Sequence, residues 1–232
     1  MQQNPLFPPV GQITQLTTTP APFIPAAPMT QDWKGLEQYQ TCAEWGRYFV
    51  STVYHPGANV LEPTAGNGLG FCQWIRRADL TAVEIHPQLA PRLAQWTDRW
   101  YQADIETWTP PAASVPGKRS LQPCFDLIIG NLPYSRTEAI IRHLLPFLKV
   151  RGKIAILDRL SLLSSAARVP FWTELLKPLS ITQVPRNVVV EIGGSGRYDL
   201  AWYVLGRRAD YDNVRGVELA WKFEVEPLPV GE

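Results

Sequence analysis

The chain is poor in the residues that mark several protein classes. Its three cysteines, Cys42, Cys72 and Cys124, stand far apart and form no CxxC pair, which argues against both a disulfide framework and a cysteine zinc site. No metal is expected. No apolar run approaches the ~20 residues of a membrane-spanning helix, and the N-terminus lacks the basic start and apolar stretch of a secretion signal. A protein of the cytoplasm, in a bacterium or a phage-infected cell, is therefore the expectation. Charge of either sign is also weak, with a net of +1. The whole-molecule field does not draw a polyanion, so a phosphate-binding surface must come from local clusters. Candidates are Arg76-Arg77, Lys118-Arg119, Arg151 with Lys153, and Arg207-Arg208, each of which is more ordinarily solvated surface. The first 31 residues have no charged side chain and seven prolines, a composition that cannot build an amphipathic helix or a core of its own.

What remains suits one globular domain: 45% of the 232 residues are hydrophobic and 19% charged, enough to bury a sizeable core. The expected division is a proline-rich flexible tail over 1–31, a catalytic domain over 32–210, and a C-terminal extension over 211–232. Trp33, Leu36, Tyr39, Trp45 and Phe49 recur at helical spacing up to a turn at His55. Beyond it, short apolar runs alternate with helical stretches, the pattern of βαβ units around a mostly parallel sheet. Seven strands are predicted, over 59–62, 81–85, 100–103, 125–130, 153–157, 181–183 and 201–205. Helices are predicted near 68–77, 88–97, 137–148 and 160–176, with Pro91, Pro146 and Pro170 starting, kinking or stopping some of them. Trp202 and Tyr203, in the last strand, read as core. Residues 107–123, rich in Pro, Ser and Gly, read as a loop.

The sharpest local signal is NVLEPTAGNGLG, beginning at Asn59. An apolar strand ends at Glu62, and a turn through Pro63, Ala65, Gly66 and Gly68 leads into the next element. Glycine there permits backbone angles barred to other residues and lets a ligand come close. Glu84 ends the second strand eighteen residues after Gly66. Its carboxylate is placed to accept from both hydroxyls of a ribose, with Ile85 covering one face of an adenine. Asp104 ends the third strand, where it can bind the adenine amino group. A dinucleotide dehydrogenase is the rival ligand class, but Pro63, Thr64 and Ala65 intervene where its GxGxxG fingerprint needs glycine.

The fourth strand, DLIIG, runs directly into Asn131, Leu132, Pro133 and Tyr134. With this element the chain resembles the class I S-adenosylmethionine-dependent amino-methyltransferases, whose (D/N/S)PP(Y/F/W) motif follows the fourth strand. The resemblance implies a Rossmann-like α/β fold, a seven-stranded mostly parallel sheet with helices on both faces, and S-adenosyl-L-methionine as cofactor. It also implies a site in which Asn131 Oδ1 and the Leu132 carbonyl hold the two N–H groups of a planar amine. Pro133 would fix the turn and Tyr134 would stack on a base that has left its duplex. Arg136 and Tyr198 are further candidates for substrate contact.

Upstream, YQTCAEWGRYF is similar to the Tyr-x-Thr-Pro segment with which part of this family clasps the cofactor. This implies that Thr41 contacts it, although Cys42 stands where the family has Pro. The segments RVPFWTELLKPLSITQVPR and YDLAWYVLG look like those of small phage and prophage adenine methyltransferases, whereas the intervening VVVEIGGSG does not. DNA with adenine N6 as acceptor is the implied substrate, and cytosine N4 shares the geometry. Leu132 makes the motif NLPY, the form seen in ribosomal RNA adenine dimethyltransferases, so RNA adenine is the alternative. Glutamine N5 of a protein and a non-catalytic binding role are two further ones. The resemblance spans about 38–206, leaving little chain for a sequence-reading domain. Short or relaxed selectivity set by 187–198 and 107–123 is expected.

Overall fold

A computed structural model describes residues 41–111, 123–184, 199–213, 216 and 218–221. They all belong to one unit, Leu36–Glu232. The remaining residues, among them Tyr198, most of the 107–123 loop, residues 187–198 and the proline-rich tail, lie outside the described set.

Eight strands form one sheet: β1 (Val60–Glu62), β2 (Leu80–Glu84), β3 (Arg99–Gln102), β4 (Phe125–Asn131), β5 (Leu148–Arg159), β6 (Leu176–Val184), β7 (Leu200–Arg207) and β8 (Glu218–Trp221). Their spatial order is β3-β2-β1-β4-β5-β7-β6-β8. The first five run parallel, and β7 is antiparallel to both neighbours. All seven predicted strands are present. The addition is β8, parallel to β6 at the sheet edge and contributed by the C-terminal extension. A four-residue strand of mixed polarity carries too little periodicity to be read from sequence.

Strand order reverses between β1 and β4, which follow different directions of winding from a shared border. In an open α/β sheet, the loops after two such strands diverge and leave a crevice at their carboxyl ends. The Gly66 loop follows β1 and the Asn131 corner follows β4, so both open onto this crevice.

The core divides by strand periodicity, since successive side chains point to opposite faces. Ile129, Ala155, Leu157 and Trp202 join one buried cluster, and Ile128, Ile154, Ile156 and Tyr203 the other. Helix α1 (Ala43–Val53) covers the first face with Trp45, Phe49, Val50 and Val53, and α2 (Thr137–Leu144) covers the second with Ile140, Ile141 and Leu144. Trp202 stacks on Phe49 at 4.3 Å and lies 5.9 Å from Phe71, and its indole N–H donates to Thr52 Oγ1 at 3.3 Å. One aromatic column thus ties α1, the Gly loop's exit and β7 together.

The helices predicted between strands are much shorter than their periodicity suggested. Residues 68–77 hold only a 3-10 turn, Cys72–Trp74, and 88–97 only the 3-10 segment Ala90–Gln95. Gly68 and Gly70 disfavour helix in the first case, and Pro91 removes a backbone donor near the start of the second. Pro146 ends α2 in a 3-10 turn, and the 160–176 stretch breaks into three short turns before and after Pro170.

Candidate functional site

The loop after β1 is held open by backbone geometry. Gly66 and Gly68 have φ of +58° and +79°, values that side chains with a Cβ rarely adopt. A Cβ on Gly66 would meet no described atom within 4 Å, so the space above this turn is open. Gly68 is enclosed instead, because the Trp96 indole stands where its Cβ would be and donates to Asn67 O at 3.2 Å. Sequence offered no sign of Trp96, which arrives from the β2–β3 connection.

Glu84 is buried at the end of β2. Its carboxylate accepts from Gly66 N at 2.7 Å and from His86 N at 2.8 Å, fixing the Gly turn to the next strand. Glu62 points elsewhere: it is 2% exposed and turned beneath the loop, where the Cys72 thiol donates to Oε2 at 2.7 Å. Complete burial, with the Glu84 carboxylate nearby, pushes Glu62 up to about 8 despite the thiol's opposing effect. The same burial and the Glu62 charge hold the Cys72 thiol well above its usual range. Pro63 and Ala65 are buried beside it and Ile85 is half-buried.

The corner after β4 abuts this loop. Thr64 Oγ1 donates to Asn131 O at 3.2 Å, and a Cβ on Gly130 would lie 3.4 Å from Pro63 Cδ. Thr41, buried just before α1, accepts from Asn131 Nδ2 at 3.3 Å and packs against Gly70. It reaches that point because Gly46 lets α1 come close, a Cβ there falling only 1.7 Å from Gly70 O. Thr41, the Gly loop and Asn131, separated by up to 90 residues, thus form one hydrogen-bonded group.

Leu132 and Tyr134 turn inward. Tyr134 is 4% exposed and belongs to the α1-side core cluster. The Arg159 guanidinium covers its ring at 5.3 Å from the centroid. The Pro133 carbonyl accepts from Arg136 N at 2.9 Å in the turn that leads into α2.

Asp104 is not an isolated carboxylate. Both its oxygens contact Arg136 Nη2, at 3.1 and 3.2 Å, while Arg136 Nε pairs with Glu106 Oε1 at 2.6 Å. The two acids raise the Arg136 guanidinium further above its ordinary value. Arg136 therefore links the loop after β3 to the corner after β4. Asp158, at the end of β5, is the second acid that sequence did not single out. Thr137 Oγ1 and Arg159 N donate to it, and burial lifts it to about 6 against those two bonds and the nearby Arg159 and Arg168 charges.

Of the predicted basic clusters, Lys118-Arg119 lies outside the described residues; Arg76-Arg77 precede β2, Lys153 pairs with Gly206 within β5, and Arg207 and Arg208 spend their guanidinium groups on backbone carbonyls of 145, 148, 172 and 176. Among the described residues, the arginines after the carboxyl ends of β4 and β5 are Arg136, Arg159 and Arg168, none flagged by clustering. Among the described residues no group of His, Cys, Asp and Glu is placed to hold a metal, and no helix is long and apolar enough to cross a membrane.

No protein-family model matches the chain, and no curated protein matches its sequence. Solved structures do. A Listeria monocytogenes protein assigned to the class I S-adenosylmethionine-dependent methyltransferases superposes with a TM-score of 0.56 at 17% identity, over 78% of this chain and 65% of that one. The methyltransferase subunit of a type I restriction-modification system from Streptococcus thermophilus gives 0.51 at 11% identity, over 73% and 45%. A dimethyladenosine transferase from Plasmodium falciparum gives 0.50 at 11%, over 75% and 65%. The chain thus spans about two thirds or less of each of these structures. Its fold is the Rossmann-like α/β fold of the class I methyltransferases.

Proposed function

We propose that the chain is an S-adenosylmethionine-dependent methyltransferase acting on the exocyclic N6 amine of adenine in DNA. The observation that carries this is the junction of the Gly66 loop and the Asn131 corner through Thr64 and Thr41, which brings the Gly turn against the Asn131 amide at the switch point of the sheet.

The residues fit the cofactor. Open space above a left-handed Gly66 admits its amino-acid and ribose portions against the backbone. Each Glu84 oxygen already accepts one backbone N–H and retains a second lone pair for a ribose hydroxyl. Asp104 would share its oxygens between Arg136 and the adenine amino group. S-Adenosylmethionine supplies an activated methyl when bound. The chain's own work is orientation and exclusion of water. Asn131 Oδ1 and the Leu132 carbonyl accept the two N–H bonds of the target amine, drawing its nitrogen from planar toward tetrahedral as it attacks. The Thr41 bond holds the Asn131 amide by its nitrogen end, which directs the oxygen end to this task. No strong base is needed, because the methylated nitrogen becomes acidic enough to release its proton to water.

A second reading, RNA adenine, is favoured by Leu132 in the motif. Sequence selectivity is short or relaxed in either case. The test is radiolabelled S-adenosylmethionine with DNA, RNA and protein acceptors, wild type against Asn131→Ala. Label is expected in N6-methyladenine of DNA, and the variant is expected to lose at least about 100-fold in kcat while cofactor affinity survives. Label confined to protein would overturn the proposal, and unchanged turnover by the variant would remove Asn131 from the chemistry.

A further inference from the structure

Asp104, after β3, and Arg136, after β4, meet beside the crevice, and each keeps hydrogen-bonding capacity next to their contact. Among the described residues, Asp104 Oδ1 accepts from Glu106 N and from Arg136 Nη2, both at 3.1 Å, whereas Oδ2 accepts from Arg136 Nη2 alone, at 3.2 Å. A carboxylate oxygen has two lone pairs, so Oδ2 retains one. The guanidinium is a planar fork of N–H donors. Its Nε serves Glu106 Oε1 at 2.6 Å and its Nη2 serves Asp104, while Nη1 donates to no described residue. The pair thus offers a spare acceptor next to a spare donor. Its side chains are 32% and 36% exposed, so a ligand can reach both.

Both groups are held in place from behind. Ala103 N donates to Glu84 O at 3.1 Å, and Thr107 N and Trp108 N close a turn on Asp104 O at 3.1 and 2.9 Å. His143 Nε2, from α2, holds Trp108 O at 2.7 Å. Arg136 N donates to Pro133 O at 2.9 Å, and Arg136 O accepts from Ile140 N at 3.0 Å. Two carboxylates around one guanidinium also leave the cluster anionic, which disfavours a phosphate and suits an uncharged ring with a polar amino group.

We infer that Asp104 and Arg136 together read the adenine edge of the cofactor: Asp104 Oδ2 accepts from the exocyclic amino group, and Arg136 Nη1 donates to the ring nitrogen beside it. The amino group of adenine is a donor flanked by ring nitrogens that only accept, N1 on one side and N7 on the other, so its edge alternates as the pair does. Because the pair is already assembled, little ordering is required when the ring arrives. This rests on the crevice holding S-adenosylmethionine and not on the identity of the methyl acceptor.

The test uses S-adenosylhomocysteine, which carries the same adenosine without a transferable methyl, and its 1-deaza and 7-deaza analogues, in which C–H replaces one ring nitrogen. Calorimetric affinities would be measured for wild type, Arg136→Met and Arg136→Lys, with thermal melting as a control for folding. Lysine keeps a cation between the two acids but lacks the second planar donor. Wild type is expected to bind one of the two analogues about tenfold more weakly than the parent. Both variants should bind the parent and that analogue alike, within about twofold, because the donor that tells them apart is gone. Equal binding of all three ligands by wild type would overturn the inference. So would a penalty that persists in either variant, since the ring nitrogen would then be read by another donor and Arg136 would only brace the loop. If wild type binds none of the three ligands, the cofactor reading itself fails, an outcome separate from each of these.

Discussion

Replacing Glu62 by Gln should remove a pH-dependent weakness from the fold. Glu62 is fully buried under the Gly loop, accepts from the Cys72 thiol and faces a second carboxylate, Glu84. These surroundings raise its pKa from an ordinary 4.5 to about 8, so the folded protein binds the proton more tightly than the unfolded chain does. A group with a raised folded pKa stabilises fully below its unfolded value, and that stability is lost as pH rises through the folded value. The window here runs from 4.5 to about 8. At ~1.4 kcal/mol per factor of ten in proton affinity, the gap sets a ceiling of about 5 kcal/mol; relaxation and water entry around a buried charge should bring it to about 2–3 kcal/mol. Glutamine matches the protonated acid in shape and cannot ionise. Thermal melts of ligand-free wild type and Glu62→Gln should therefore agree near pH ~5, then diverge until the variant melts roughly 5–10 °C higher near pH ~9. Parallel curves across this range would refute the reasoning, since they would mean that Glu62 is solvated or ionised in the folded state.

Other substitutions test the joints of the site. Thr41→Val deletes the acceptor of Asn131 Nδ2 in a buried position and should cost about 1–2 kcal/mol in urea unfolding, with kcat falling more than cofactor affinity because Asn131 loses its orientation. Gly46→Ala drives a Cβ into the Gly70 carbonyl, backbone against backbone. Denaturant titration should show a loss of about 3 kcal/mol or more, and calorimetry a weaker S-adenosylmethionine affinity as α1 and Thr41 are pushed from the loop. Asn131→Ala breaks the same Thr41–Asn131 bond and should cost a similar ~1–2 kcal/mol in urea unfolding, but calorimetric cofactor affinity should be nearly unchanged while kcat falls at least about 100-fold, a far larger loss than Thr41→Val gives and one that a merely structural asparagine would not produce.

The chain's own text placed the seven strands, the Gly66 turn and the Asn131 corner, because each depends on local chemistry: strand periodicity, glycine's freedom at positive φ, and a short motif directly after a strand. It did not give the full lengths of β5 and β6, which run over Leu148–Arg159 and Leu176–Val184 where periodicity predicts 153–157 and 181–183. That the Gly66 turn and the Asn131 corner belong to one site was implied by the resemblance alone, and the strand order that brings them together is a property of the tertiary structure. Helix length escaped the sequence, since apolar spacing at 68–77 and 88–97 is helical while Gly68, Gly70 and Pro91 deny the backbone a full turn's hydrogen bonding. The partnerships inside the site were decided by tertiary structure alone. Arg136 turned to Asp104 and Glu106 and not outward, Glu62 went beneath its loop to Cys72, and Arg159 came to rest on Tyr134. Such pairings join residues far apart in sequence, whose approach is set by packing of the sheet and its covering helices. No spacing along the chain encodes which cation will face which ring once that packing is complete.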